Sequence, residues 1–206
     1  MNDIARKLVS QDHILLWFDL ETTGLDEQRE EILEVGWGVT GLDLDWILEP
    51  TSYLIDADIV LTPGGARVST NVLREGHAVD PFVYRMHTES GLWQDMIDKK
   101  RISLDEAERT ILSVLNINDK SLVTMAGAGV AQFDMRWIKH HMPFLHARLT
   151  YYTIDTGIHE RVESLVRRRE MRGSSKTARH RSVDDIHDSH RRLIDYRTNV
   201  LTGIPR

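Results

Sequence analysis

The chain has 206 residues, 41% of them hydrophobic and 28% charged, which is enough for a sizeable core and ordinary for a soluble protein. A formal net charge of −6 excludes a protein that coats long nucleic acid by charge alone, and the absence of cysteine excludes disulfides and thiolate zinc sites. There is no run of 18 apolar residues to span a membrane, and Met1 to Gln11 lacks the apolar stretch of a secretory signal, which fits a cytoplasmic protein.

Ile14 to Leu20 is a short apolar run bounded by polar residues and predicts a buried strand that ends in a turn at Gly24. Glu31 to Thr40 and Trp46 to Ile55 predict two further strands joined by a short Gly-Leu-Asp turn, which together make an antiparallel meander. Asp58 to Asp80 is richer in Gly, Pro, Thr and Arg, with a turn at Pro63-Gly64-Gly65. It reads as a long loop with one helical turn near Asn71 to Arg74. Connections of this length are often functional. Ser103-Leu104-Asp105-Glu106 is a capping box that opens a helix to about Leu115, with Leu104, Ala107, Ile111 and Leu115 on one face.

Ser121 to Met125 predicts a strand, followed by the small-residue loop Ala126-Gly127-Ala128-Gly129. Asp134 to His141 predicts a helix that stops before Pro143, Leu149 to Ile154 a last strand, and Gly157 to Arg169 a helix. Met171 to Arg179 is a polar loop, and Val183 to about Val200 the final helix. Three strands followed by alternating helix and strand predict an α/β fold, a mixed sheet with helices on both faces. The expected organisation is one domain over residues 1–206 with a long connection or insertion at about 58–80.

Charge is unevenly placed. Residues 161–197 carry 11 Lys/Arg against 6 Asp/Glu, including Arg167-Arg168-Arg169. That stretch reads either as a solvated helix end and loop or as a phosphate-attracting rim.

The chemistry is concentrated in a few residues. Asp19 and Glu21 stand two apart at the end of the first strand, in Trp17-Phe18-Asp19-Leu20-Glu21-Thr22-Thr23-Gly24, so both side chains fall on one face. Alone, the pair reads as a strand end facing water. Two neighbouring carboxylates repel, however, and burying them without a counter-charge is costly. A divalent cation resolves both problems, and oxygen-only ligation suits Mg2+ or Mn2+. Asp134 follows Gln132-Phe133 and reads equally as a helix cap or a ligand. His180 stands five residues before Asp185 in His180-Arg181-Ser182-Val183-Asp184-Asp185. His187 and His190 lie three apart on a helix without a third ligand nearby, which favours a solvated face.

Taken together, these segments resemble the DEDDh family of 3′-to-5′ exonucleases, which have a ribonuclease H-like fold, and within it the oligoribonucleases most of all. The resemblance runs from about Ile14 to Val200. It rests on Asp19-Leu20-Glu21-Thr22-Thr23-Gly24-Leu25, on Met86-His87-Thr88-Glu89-Ser90-Gly91-Leu92, and on His180 to Ile186 with Tyr196-Arg197. It implies that Asp19, Glu21, Asp134 and Asp185 hold two divalent ions, Mg2+ or Mn2+. It also implies that His180 is the general base and that the products are 5′-mononucleotides. Asp185, rather than its neighbour Asp184, is the ligand by the same match. Leu25 and Phe82 match residues that pack on bases, and His87 would lie near the substrate. Tyr151 matches a tyrosine supplied by the partner subunit, which implies a homodimer. The implied substrate is short single-stranded RNA. DNA or longer RNA is the alternative, and a non-catalytic nucleic-acid-binding module is a more remote one.

Departures from the resemblance fall at the 5′-phosphate end of the substrate. Tyr152 stands where oligoribonucleases carry an arginine, Gly157 where they carry a serine, and an Ala-Gly loop replaces their Asn-Ser pair. Arg148 or an arginine of the basic stretch is then the candidate replacement.

Overall fold

Strand β1 (His13–Thr22) is the centre of the molecule, because its residues are apolar on both faces as a buried strand requires. The computed structural model describes residues 3–71, 75–166 and 179–199. β1 pairs antiparallel with β2 (Ile32–Thr40), which pairs antiparallel with β3 (Trp46–Leu54). On its other side β1 pairs parallel with β7 (Leu122–Gly127), and β7 pairs parallel with β8 (Thr153–Asp155). The order β3-β2-β1-β7-β8 is the expected mixed sheet, with a meander on one side and parallel crossovers on the other.

The two faces of β1 go to different layers. Ile14, Leu16, Phe18 and Leu20 pack with Ala107, Ile111 and Leu115 of α4 (Leu104–Leu115). The same layer takes Trp137 and Ile138 of α5 (Asp134–His141) and Leu145 of α6 (Pro143–Arg148). Leu15 and Trp17 face the opposite way, onto Ile186, Leu193 and Ile194 of α8 (Ser182–Asn199). Asp19 and Glu21 continue that second row and therefore point toward the start of α8. α8 comes this close because β2 carries Gly36 beneath it. A Cβ on Gly36 would lie 2.5 Å from the Ser182 side chain.

The 58–80 segment departs from the sequence reading. It is a three-stranded antiparallel sheet, made of β4 (Ile59–Thr62), β5 (Gly65–Val68) and β6 (His77–Ala78). Pro63-Gly64 forms the hairpin turn, with Gly64 at φ 84°. Ala66, Val68 and Val79 fold inward onto Leu33 and Leu54 of the main sheet. They also meet Leu92, Trp93 and Met96 of α3 (Leu92–Asp98). The helical turn expected near Asn71 to Arg74 falls at 72–74, outside the described residues, as do 167–178 and the chain after Asn199.

Three helices were not anticipated: α1 (Asp3–Val9), α2 (Pro81–Glu89) and α3. Gly91, at φ 76°, makes the left-handed turn between α2 and α3, which accounts for the glycine in the Ser90-Gly91-Leu92 part of the motif. The chain after Pro143 is also helical (α6), and the last strand shrinks to β8. Ser103 caps α4 as expected, its hydroxyl accepting from Glu106 N at 3.2 Å. α7 (Thr156–Val166) follows β8.

His190 is not on a solvated face. It is buried edge-on against Trp17, with ring centroids 5.0 Å apart, and its Nε2 meets the Leu44 carbonyl at 2.8 Å. His187 sits against Trp46 beside it. No helix among the described residues is long and apolar enough to cross a membrane.

Candidate metal centre

Three of the four predicted carboxylates converge directly. Oxygens of Asp19, Glu21 and Asp185 all lie within 4.8 Å of one another. The first two arrive from β1, where the ladder with β2 shifts register between Glu21 and Thr22. Such irregularities re-aim side chains at sheet ends. Asp185 arrives from the first turn of α8.

Asp134 completes the group from the other layer. It is the first residue of α5, not its cap, and its Oδ1 accepts from Leu20 N at 3.0 Å. That bond ties the start of α5 to β1 beside Asp19.

The electrostatics of the cluster are dominated by burial and mutual repulsion. Burial, and then the charges of Asp134, Glu21 and Asp185, push the Asp19 carboxyl well above its ordinary range. Burial and then Asp185 do the same to Glu21. Burial pushes Asp134 up to about 7 even though Leu20 N bonds to it. Burial also raises Asp185, against a 3.3 Å bond from Arg179 N. None of the four carboxylates has a Lys or Arg ion pair among the described residues. A cluster of four oxygen donors with no Lys or Arg ion pair among the described residues fits hard divalent ions such as Mg2+ or Mn2+.

A fifth carboxylate shows the contrast. Glu34 stands directly opposite Glu21 across the β1–β2 ladder and is 1% exposed. Its burial is offset by Arg181, which reaches its two oxygens at 3.0 and 3.3 Å. Ser182 N donates to it at 3.1 Å and the Ser52 hydroxyl at 2.8 Å. Although burial raises Glu34, the Arg181 and Ser182 bonds outweigh it and hold the carboxyl below its usual range. Arg181 also meets Asp95 of α3 at 2.8 Å. Sequence reading missed this Glu34–Arg181–Asp95 clamp. Its one available signal was that Arg181 directly follows His180.

The clamp holds the turn that carries His180. His180 has φ 54°, a left-handed conformation costing on the order of 1–2 kcal/mol for a residue with a Cβ. The fixed neighbour Arg181 keeps it there. The ring lies close enough to Asp185 and His87 to act electrostatically on both.

The remaining predicted residues divide into two groups. His87 is 0% exposed and lies beneath the cluster. Its Nε2 meets the Thr22 carbonyl at 2.8 Å, while its Nδ1 is 3.8 Å from Glu21 Oε2 and has no hydrogen-bond partner among the described residues. It therefore packs directly behind Glu21. Leu25, Phe82 and Tyr151 are 77%, 62% and 97% exposed, and so free for other molecules to touch. Arg148 is held through Nε and Nη2 by Asn116, Leu115 O, Asn118 O and Ser121. Asp155, also missed, binds the loop after β7 through Gly129 N at 3.0 Å and the start of α7 through Gly157 N at 2.9 Å.

Comparison with solved structures gives the class. Exonuclease I of E. coli, solved in complex with a 5cy-dT13 oligonucleotide, matches 93% of this chain with a TM-score of 0.64 at 14% identity. Exonuclease I of Methylocaldum szegediense matches 92% with 0.61 at 17% identity. The chain spans 42% of each of those longer proteins, and the likeness is one of fold, the ribonuclease H-like fold of exonucleases.

Sequence relatives then give the family. The oligoribonuclease of Corynebacterium diphtheriae is 32% identical over 194 residues, 93% of this chain and 85% of the relative. That of Corynebacterium efficiens is 30% identical over 201 residues, covering 96% and 84%, and that of Xylella fastidiosa 29% over 196, covering 95% and 93%. No family model matches the chain. The chain belongs to the oligoribonuclease family.

Proposed function

We propose that this protein is a metal-dependent 3′-to-5′ exoribonuclease that degrades short oligoribonucleotides to 5′-mononucleotides. The observation that carries the reading is the cluster of Asp19, Glu21 and Asp185 oxygens within 4.8 Å, with Asp134 beside it, in a chain of this family. Asp19, Glu21, Asp134 and Asp185 would hold two divalent ions, Mg2+ or Mn2+. Bound there, such ions activate water near neutral pH and neutralise the charge that builds on the phosphate and the departing 3′ oxygen.

The chain's own residues do the rest. His180 takes the proton of the attacking water, and the Arg181 clamp fixes where its ring stands. His87 fills the space behind Glu21. Leu25 and Phe82 offer apolar surface to the terminal bases. Tyr151, almost fully exposed on one chain, serves the site of a second copy, so the working form is a homodimer.

A second reading, action on single-stranded DNA or longer RNA, is favoured by Gly157 and Tyr152, which lack the groups that grip a 5′ phosphate. The test is digestion of 5′-labelled RNA of two, five and twenty nucleotides, beside matched DNA, with Mn2+ and with EDTA. The expected result is stepwise loss of 3′ nucleotides, fastest on the shortest RNA and abolished by EDTA. Faster loss from the longer strands or from DNA overturns the substrate assignment, and activity in EDTA overturns the metal one.

A further inference from the structure

The small sheet β4-β5-β6 is joined to the turn after the first motif by a chain of short hydrogen bonds. The Thr23 hydroxyl donates to Glu30 Oε2 at 2.6 Å, and His77 Nε2 of β6 meets the other oxygen, Oε1, at 2.8 Å. Both carboxylate oxygens are thus committed, one to each side. Thr23 is fixed further by Glu31, whose N donates to the Thr23 hydroxyl at 2.8 Å and whose carbonyl accepts from Thr23 N at 2.9 Å. Gly24 lies flat on Glu30, since a Cβ there would come within 2.8 Å of its carboxyl carbon.

The far end of this chain is anchored. β6 pairs with β5 through Val68 and His77, and Val79 N bonds to Ala66 O at 2.9 Å. Gly76 passes so close to Val68 O and the Thr70 backbone that a Cβ would approach within 2.8 Å of both. Val68, Ala66 and Val79 are buried against Leu33, Leu54 and Trp93. His77 is thus mounted on a packed scaffold. Its Nδ1 is buried without a hydrogen-bond partner among the described residues. Burying a ring nitrogen unpaired is unfavourable, so this position is poorly explained by space filling alone.

The turn held in this way runs from Thr23 to Leu25, between the buried ligand Glu21 and the exposed Leu25 side chain. We propose that His77 is a positioning residue. Through Glu30 and Thr23 it sets the place of the Leu25 turn, so the small sheet governs the grip on the 3′-terminal nucleotide while leaving the metal chemistry intact. The inference rests on the exonuclease reading above.

The test uses the full chain with Mn2+ and two substrates, a pentaribonucleotide and bis(p-nitrophenyl) phosphate, which has no base for Leu25 to touch. Thermal midpoints are recorded alongside. The expected result for His77→Ala is a KM for the pentaribonucleotide raised about tenfold, with the rate on the small diester unchanged. His77→Gln, which keeps a donor toward Glu30, restores KM to within about twofold, and Thr23→Val reproduces the raised KM. An unchanged KM in His77→Ala overturns the proposal, as does a parallel fall on both substrates. If His77→Ala does not fold, the other two variants decide: wild-type KM in Thr23→Val, or a raised KM in His77→Gln, overturns it. Wild-type protein inactive on both substrates overturns the exonuclease reading instead.

Discussion

Replacing Asp19 by Asn abolishes nuclease activity and, in the metal-free protein, raises stability at pH 8. Both effects follow from the same repulsion. Asp19 is pushed up by burial and by Asp134, Glu21 and Asp185, so its charge is tolerated only when cations are present. Loss of even an outer partner of a metal ligand costs up to about a hundredfold, so loss of the ligand itself should cost more than that. The pH dependence has a definite sign. Carboxyls whose pKa is raised on folding bind more protons in the native state, so their contribution is fully present below the unfolded pKa, near 4. It is lost as pH rises through the folded value, about 7 for Asp134. In EDTA the wild-type thermal midpoint should therefore fall between pH 5 and pH 8. Asp19→Asn should fall less, and Mn2+ should flatten the wild-type curve. Full activity in Asp19→Asn, or a metal-free wild type that gains stability from pH 5 to 8, contradicts the assignment.

The second large effect is expected at Arg181. Arg181→Ala leaves Glu34 buried opposite Glu21 with only Ser182 N and Ser52 as partners. Breaking a buried pair by removing one member costs about 3–5 kcal/mol. In a chain of this size each kcal/mol lowers the midpoint by roughly 2–4 °C. A fall of at least about 6 °C should be seen by calorimetry. Adding Glu34→Gln should recover part of it, because the stranded charge is then gone. Arg181→Lys should rescue poorly, since one ammonium cannot replace the two-pronged bond to Glu34 together with the bond to Asp95. Activity should fall as well, because the strained His180 turn loses its fixed neighbour. An unchanged midpoint in Arg181→Ala contradicts the clamp.

The parts of the fold that carry strong local signals were legible in the sequence. β1 is an apolar run, β2 and β3 are set off by the Gly-Leu-Asp turn, α4 carries its cap, and α8 is a long helix that brings Asp185 over Asp19. The 58–80 segment was misread because its strands are only two to four residues long and face a satellite core, so their alternation is brief. The Pro63-Gly64 turn between Ile59–Thr62 and Gly65–Val68 was the hairpin signal available there.

His190 reads as solvated because a polar residue on a helix is usually so. Its burial depends on Trp17, Trp46 and Leu44, which are remote in sequence. At the site, residue type and spacing singled out Asp19 and Glu21 on one face of β1, while Asp134, His180 and the choice of Asp185 over Asp184 came from the resemblance to the exonuclease family. The Glu34–Arg181–Asp95 clamp had only the neighbourhood of Arg181 to His180 as a signal, since it joins β2, α3 and the turn before α8 and no spacing relates them. His87 marks a middle case. Its motif singled it out as lying near the substrate, and the structure shows it fully buried with Nδ1 3.8 Å from Glu21 Oε2.

The most direct measurement of the central claim is a calorimetric titration of the metal-free protein with Mn2+, repeated on Asp19→Asn and Asp134→Asn. The carboxylate cluster should bind close to two ions per chain in the wild type, with proton release at pH 6 to 7 as the raised carboxyls ionise, and fewer or weaker ions in each variant. Wild-type protein that takes up no Mn2+, or variants that bind it as the wild type does, would contradict the account.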